Sequence, residues 1–213
     1  MKRILCYGDS NTWGYISGSD HLRYGNTERW TKVLQNNLGN SFEIIEEGLN
    51  SRTLFSEDKR PGKEGKNGYV YLKPCMETHD KIDVIVLMLG TNELKFDFNN
   101  DANAVLNMIK KYVEFISNYR SQIDNSNPKL ILLGVPLVSE KSEYSREKNK
   151  YVGARQKSEE LNDLMKQYCD EKSICYIDNT DLKTGIDGVH LTKESHKILS
   201  NKVYVIIKKI ILW

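Results

Sequence analysis

The chain has 213 residues, long enough for one well-cored domain, and its 39% hydrophobic and 28% charged content is ordinary for a globular protein. Lys and Arg total 31 against 29 Asp and Glu, a net charge of +2 that offers no basic face for nucleic acid. The apolar run ahead of Gly8 is too short for a signal-peptide core, and no stretch approaches membrane-spanning length, so a cytoplasmic protein with no membrane partner is expected.

In chain order, Arg3–Tyr7 reads as a short buried strand, with Cys6 as a small apolar residue inside it. The glycine turn GDSNTWG, Gly8 to Gly14, follows at once. Trp30, Val33, Leu34 and Leu38 carry the spacing of a helix that Gly39 stops. A second strand spans Phe42–Glu47 and leads into a polar stretch, Ser51–Gly68, that suits a lid, an oligomer contact or a surface loop. Asp83–Leu89 and Lys129–Val135 are nearly continuous apolar runs, as central parallel strands covered on both faces require. Between them, Ala104–Tyr119 has an apolar helical stripe. A second polar stretch, Ser139–Ser158, precedes a helix over Ser158–Cys169 and a fifth strand at Ile174–Asp178. Thr192 is placed to cap a last helix.

This alternation predicts an α/β fold over residues 1–213 as a single domain. Its core is a five-stranded parallel sheet in the flavodoxin-like order 2-1-3-4-5, with helices on both faces in a three-layer α/β/α sandwich. Ser10, the segment Asn50–Thr53, the segment Gly90–Glu93, and Asp187 with His190 then all fall beyond the carboxyl ends of strands. That is the edge where open α/β sheets bind ligands.

The residue types at that edge suit nucleophilic catalysis. A serine hydroxyl needs a base to take its proton, and histidine can do so at neutral pH. A carboxylate on the other ring nitrogen fixes the tautomer and stabilises the imidazolium. The candidates are Ser10, His190 and Asp187, the last three residues before His190 with Gly188 between them to permit a tight turn. The anionic tetrahedral intermediate needs fixed donors, for which the Asn92 amide and backbone N–H groups near Ser10 and Ser51 are candidates. Taken singly, each has a plainer reading. Gly8–Ser10 also suits a turn, Asn92 a cap, and His21, His79 and His196 surface or core positions. Asp9, adjacent to Ser10, suits a bond to the backbone better than the role of triad acid. Trp13, three residues past Ser10, is a candidate for lining an acyl pocket or for the core. Cys6, Cys75, Cys169 and Cys175 form no CxxC pair, and neither HExxH nor paired-histidine spacing occurs, so no metal or cofactor is expected.

Together GDSNTWG, EEGLNSRT, MLGTNEL and DGVH resemble the four sequence blocks of the SGNH hydrolases, or GDSL-type esterases, in the family's order from Gly8 to His190. The resemblance implies the three-layer fold, Ser10 as nucleophile, Asn92 as oxyanion donor, and Asp187 with His190 completing the triad. In the second block, Ser51 stands where the family usually carries a glycine whose N–H joins the oxyanion hole. A backbone donor survives that change if φ stays negative, and the added side chain narrows the acyl pocket. The first two blocks, with Arg29–Trp30, are similar to the arylesterase/acyltransferase branch, which implies short acyl groups, acetyl especially, and a homo-oligomer. The expected activity is hydrolysis, with transfer in competition, of small alcohol, aryl or sugar esters through an acyl-enzyme on Ser10. The alternatives are a lysophospholipase or thioesterase, which needs an apolar channel, and a non-catalytic flavodoxin-like module whose Gly8 loop holds phosphate.

Overall fold

The computed structural model describes residues 1–140 and 150–211. Residues 141–149, in the second polar stretch, and 212–213 lie outside this description. Five strands, β1 (Lys2–Gly8), β2 (Phe42–Gly48), β3 (Val84–Met88), β4 (Lys129–Leu133) and β5 (Cys175–Ile177), form one sheet. Its order is β2-β1-β3-β4-β5 and every pairing is parallel, as the sequence predicts. The chain steps outward from β1 in both directions, so the crevice at the switch point opens beyond Gly8.

Both faces of the sheet are apolar and covered. Leu5, Tyr7, Ile85 and Leu87 pack with α3 (Gly68–Thr78), α4 (Ala102–Asn118) and α5 (Ala154–Lys172). Ile4, Cys6, Val84 and Val86, the alternate residues, pack with α2 (Trp30–Leu38) and α6 (Lys193–Ile211). This period-2 partition is the pleat of each strand at work. The predicted stop at Gly39 caps α2 with φ 72°, and Thr192 Oγ1 accepts from Ser195 N at 3.2 Å at the start of α6. No helix among the described residues is long and apolar enough to cross a membrane.

Two glycines set how closely the site can sit on the sheet. Gly8 and Gly48 are register partners at the ends of β1 and β2. A Cβ on Gly8 would lie 2.1 Å from Thr12 Oγ1, and one on Gly48 would lie 2.2 Å from Trp13 N. Only glycine at both positions lets the single-turn helix α1 (Ser10–Trp13) press against the sheet edge.

The sequence reading missed α3. Pro74 interrupts its pattern, and only Gly68, Leu72, Cys75 and Met76 face inward. Asn67 starts this helix by accepting from Tyr69 N at 3.1 Å and Val70 N at 3.4 Å. The stretch before it is not a plain surface loop either, because Arg52, Thr53, Leu54 and Asp58 are buried.

Candidate active site

Ser10 opens α1, directly after β1. Asp9 caps that turn by accepting from Asn11 N at 2.9 Å, the backbone role expected for it. Burial lifts the Asp9 carboxyl to about 6, against the opposing pull of the Asn11 N–H and of the positive charges on His190, Lys95 and Arg52. From the far end of the chain, the turn at Asp187–His190 brings His190 Nε2 to 2.9 Å from Ser10 Oγ. On the other side of the ring, His190 Nδ1 lies 2.7 Å from Asp187 Oδ2.

Gly188, with φ 74°, makes that turn possible. Asp187 Oδ1 accepts from the N–H groups of Val189 and His190, both at 2.9 Å. Burial alone would raise the Asp187 carboxyl, but the His190 hydrogen bond, the imidazole charge and these N–H donors outweigh it and hold the group well below the usual carboxylate range. The ring of Tyr15 stacks on His190, with centroids 4.3 Å apart and planes at 28°.

The second-block turn closes through Arg52 N to Leu49 O at 3.0 Å. Ser51 is its third residue and has φ 66°. The condition set for its donor, a negative φ, is not met, but Ser51 adopts the left-handed conformation that glycine takes in such a turn, so its N–H keeps the direction a glycine would give it. The third position of this kind of turn asks for the left-handed region, which is why glycine suits it. Arg52 secures the turn. It donates to Gly8 O at 3.1 Å and to Glu47 O, and lies 4.2 Å from the Tyr7 ring centroid. Asn92, in the short turn Thr91–Leu94 after β3, donates through Nδ2 to Arg52 O at 3.1 Å. A primary amide has two N–H bonds, so one remains for a ligand. The N–H groups of Ser10 and Ser51 have no acceptor among the described residues.

Ser10, Ser51, Asn92, Asp187 and His190 all line one cavity of about 430 Å³. Trp13 does not. Its backbone packs on Gly48 and its ring lies 5.0 Å from the Arg23 guanidinium, so the aromatic wall expected of it is Tyr15 instead. His21, expected at the surface or in the core, reaches the cavity rim, whereas His196 is fully buried. Arg60 and Lys63 from the first polar stretch, and Lys150 and Tyr151 from the second, also line the cavity.

Sequence reasoning missed three other contributors. Asn11 bonds the backbone on both sides of His190. Lys95 was legible through its spacing of three residues from Asn92 in a tight turn, where such residues share a face. Glu93, fully buried, holds the segment after Ser51. Among the described residues, one group has the donor set of a metal site. The ligand atoms of Glu47, Cys75 and His79 lie within 4.8 Å of one another. Glu47 there already pairs with His79 at 3.0 Å, and burial followed by the Glu47 charge pushes the Cys75 thiol up to about 12. None of the three lines the Ser10 cavity.

Residues 6–198 match the GDSL-like lipase/acylhydrolase family, spanning all four sequence blocks. The chain belongs to that family. As a GDSL-like lipase/acylhydrolase it is a hydrolase of the esterase kind, and solved structures of similar fold agree. A carbohydrate acetylesterase family member from Sinorhizobium meliloti is 30% identical, with a TM-score of 0.91 over 100% of both chains. The aryl esterase of M. smegmatis is 29% identical, with a TM-score of 0.89 over 98% of this chain and 99% of that one. A lipase/acylhydrolase from Enterococcus faecalis shares the fold at 17% identity, with a TM-score of 0.70 over 98% of this chain and 96% of that one. No curated protein matches the sequence.

Proposed function

We propose that this GDSL-family hydrolase is a serine esterase that removes short acyl groups, acetyl above all, from small alcohol, aryl or sugar esters. One observation carries the proposal: Ser10 Oγ, His190 and Asp187 form a continuous chain of contacts at 2.9 and 2.7 Å. His190 Nε2 takes the hydroxyl proton as Ser10 Oγ bonds to the ester carbonyl carbon. Asp187 holds the ring in the tautomer that leaves Nε2 free to accept, and stabilises the imidazolium that forms. The carbonyl oxygen becomes an oxyanion facing the N–H groups of Ser10 and Ser51 and the second N–H of Asn92 Nδ2. The imidazolium returns its proton to the leaving alkoxide, which departs as the alcohol and leaves an acyl group on Ser10. Water or a second alcohol, deprotonated by His190, then releases the acyl group as acid or as a new ester.

The cavity lining supports the short-acyl reading over the long-chain one, because with Arg60, Lys63, Lys95 and Lys150 in it the cavity is charged, whereas a long acyl tail needs an apolar channel. Tyr15 supplies the aromatic wall of the cavity beside His190. A fluorophosphonate should label the wild type at Ser10, and p-nitrophenyl acetate should release p-nitrophenol in a burst. Ser10→Ala should lose both, with kcat down by roughly 10⁴-fold or more. Normal turnover by Ser10→Ala refutes the reading.

A further inference from the structure

The cavity around Ser10 is cationic. Arg60, Lys63, Lys95 and Lys150 line it from three separate segments of chain. Lys95 is the telling member, because it is only 7% exposed and lysines that deep are rare unless paired. Its carboxylate neighbour, Asp58, stands 3.7 Å away. That carboxylate is already gripped by Arg60, through Nε at 2.8 Å to Oδ1 and through Nη2 to Oδ2. A two-pronged guanidinium holds a carboxylate better than an ammonium at that distance, so Lys95 has the lesser share of a shared anion. Lys63, next in the same field, makes no ion pair among the described residues. On the acidic side of the lining, Asp187 is committed to His190 and Asp20 is exposed at the rim. Burial, with Arg60 next, holds Lys95 down to about 8, as expected of a cation short of a counter-charge.

We propose that Lys95 and Lys63 form an anion subsite, so that the ester Ser10 attacks carries a carboxylate or a phosphate on its alcohol half. The inference rests on the esterase reading and narrows its substrate class to acidic esters. Asn92 links the two, since Lys95 follows it by three residues in one tight turn and both line the same cavity. An anion seated at Lys95 would therefore be held by the same rigid turn that offers the oxyanion donor. A structural clip between Lys95 and Asp58 would be blind to the charge of the substrate, whereas a subsite is not.

The test compares kcat/KM for 4-acetoxybenzoate with that for its neutral isostere 4-acetoxybenzamide, with 4-acetoxyphenyl phosphate as the phosphate arm. The amide has the better leaving group, so a preference for the carboxylate reports binding rather than reactivity. The wild type should prefer at least one of the two anions about tenfold or more, the worth of one charged contact out of bulk water. Lys95→Met should erase that preference and Lys63→Glu should reverse it. If Lys95→Met fails to fold, Lys63→Glu decides. Equal rates on all three esters, with fluorophosphonate still labelling Ser10, overturn the subsite alone. No turnover and no label overturn the esterase reading and the subsite with it.

Discussion

The side chain of Asn11 accepts a hydrogen bond from the backbone of Leu191, across 180 residues of sequence, at 2.9 Å. Its Nδ2 donates to Val189 O at 3.3 Å, so one carboxamide grips the chain on both sides of His190. The nucleophile turn and the histidine turn are thereby registered to each other by the neighbour of Ser10. Asn11→Ala removes both bonds and leaves a buried N–H and C=O unpaired, a cost of about 2–4 kcal/mol. We expect a lower thermal midpoint and a kcat reduced about tenfold to a hundredfold, with KM changed little, because the Ser10–His190 distance loses its brace. Asn11→Asp keeps an acceptor for Leu191 N but loses the donor to Val189 O and buries a second carboxylate beside Asp9, so at pH 7.5 it should not restore the stability in urea titrations.

Ser51 pays for its place in the second-block turn with strain. A non-glycine residue at φ 66° costs about 1 kcal/mol. Ser51→Gly should therefore raise the unfolding free energy by about that amount, whereas Ser51→Ala should leave it unrelieved. The same change deletes the side chain from the cavity wall. Relative kcat/KM for butyryl over acetyl esters should rise in Ser51→Gly, and an unchanged ratio would show that Ser51 does not limit acyl length.

Sheet order, layer count and both ends of the Ser10–His190 pair were legible because each depends on local pattern. Apolar runs such as DVIVLML mark buried strands, and topology then brings their carboxyl ends together. Helix α3 was not legible, since Pro74 breaks the pattern that tertiary packing of Leu72 and Met76 restores. The sign of φ at Ser51 was hidden because it follows from a turn closed between Leu49 and Arg52, not from residue preference. Trp13 and Tyr15 could not be told apart by spacing alone. The direction of each side chain is set by α1 pressing on Gly48, a contact between segments far apart in sequence.

Glu93 is fully buried and accepts through Oε1 from Leu54 N at 2.6 Å, Phe55 N at 2.9 Å and Ser56 N at 3.2 Å. Its Oε2 takes Ser56 Oγ, and Asn100 Nδ2 at 3.1 Å. One carboxylate therefore gathers the segment that follows Ser51 onto the turn that carries Asn92. Glu93→Ala strands three backbone donors, and we expect a loss of about 3 kcal/mol or more. Glu93→Gln keeps one acceptor oxygen for those donors and should lose less. Both should depress kcat/KM more than removal of an exposed glutamate such as Glu114, because the displaced segment continues directly from the turn that carries Ser51. Amide hydrogen exchange at residues 54–56 checks the cause directly, and unchanged protection in Glu93→Ala would rule it out.

Asp9 gives the site its pH signature in stability. Its folded value of about 6 lies above the ordinary 3.8, so between those values the folded state holds a proton that the unfolded state has released. Stability then falls as pH rises through that window and stays lower above it. A shift of about two pH units corresponds to about 3 kcal/mol at most. Asp9→Asn keeps an oxygen to cap Asn11 N but carries no charge to bury. In urea titrations it should be more stable than the wild type by about 1–3 kcal/mol at pH 7.5 and indistinguishable from it near pH 4. Equal gains at both pH values would show that the cap geometry, not the buried charge, sets the difference. Activity should move the other way. The Asp9 carboxylate and His190 attract each other, so a charged Asp9 favours the imidazolium that forms as Ser10 gives up its proton. Asp9→Asn should therefore lower kcat severalfold at the pH where it adds most stability, the trade expected where a buried charge serves the reaction rather than the fold.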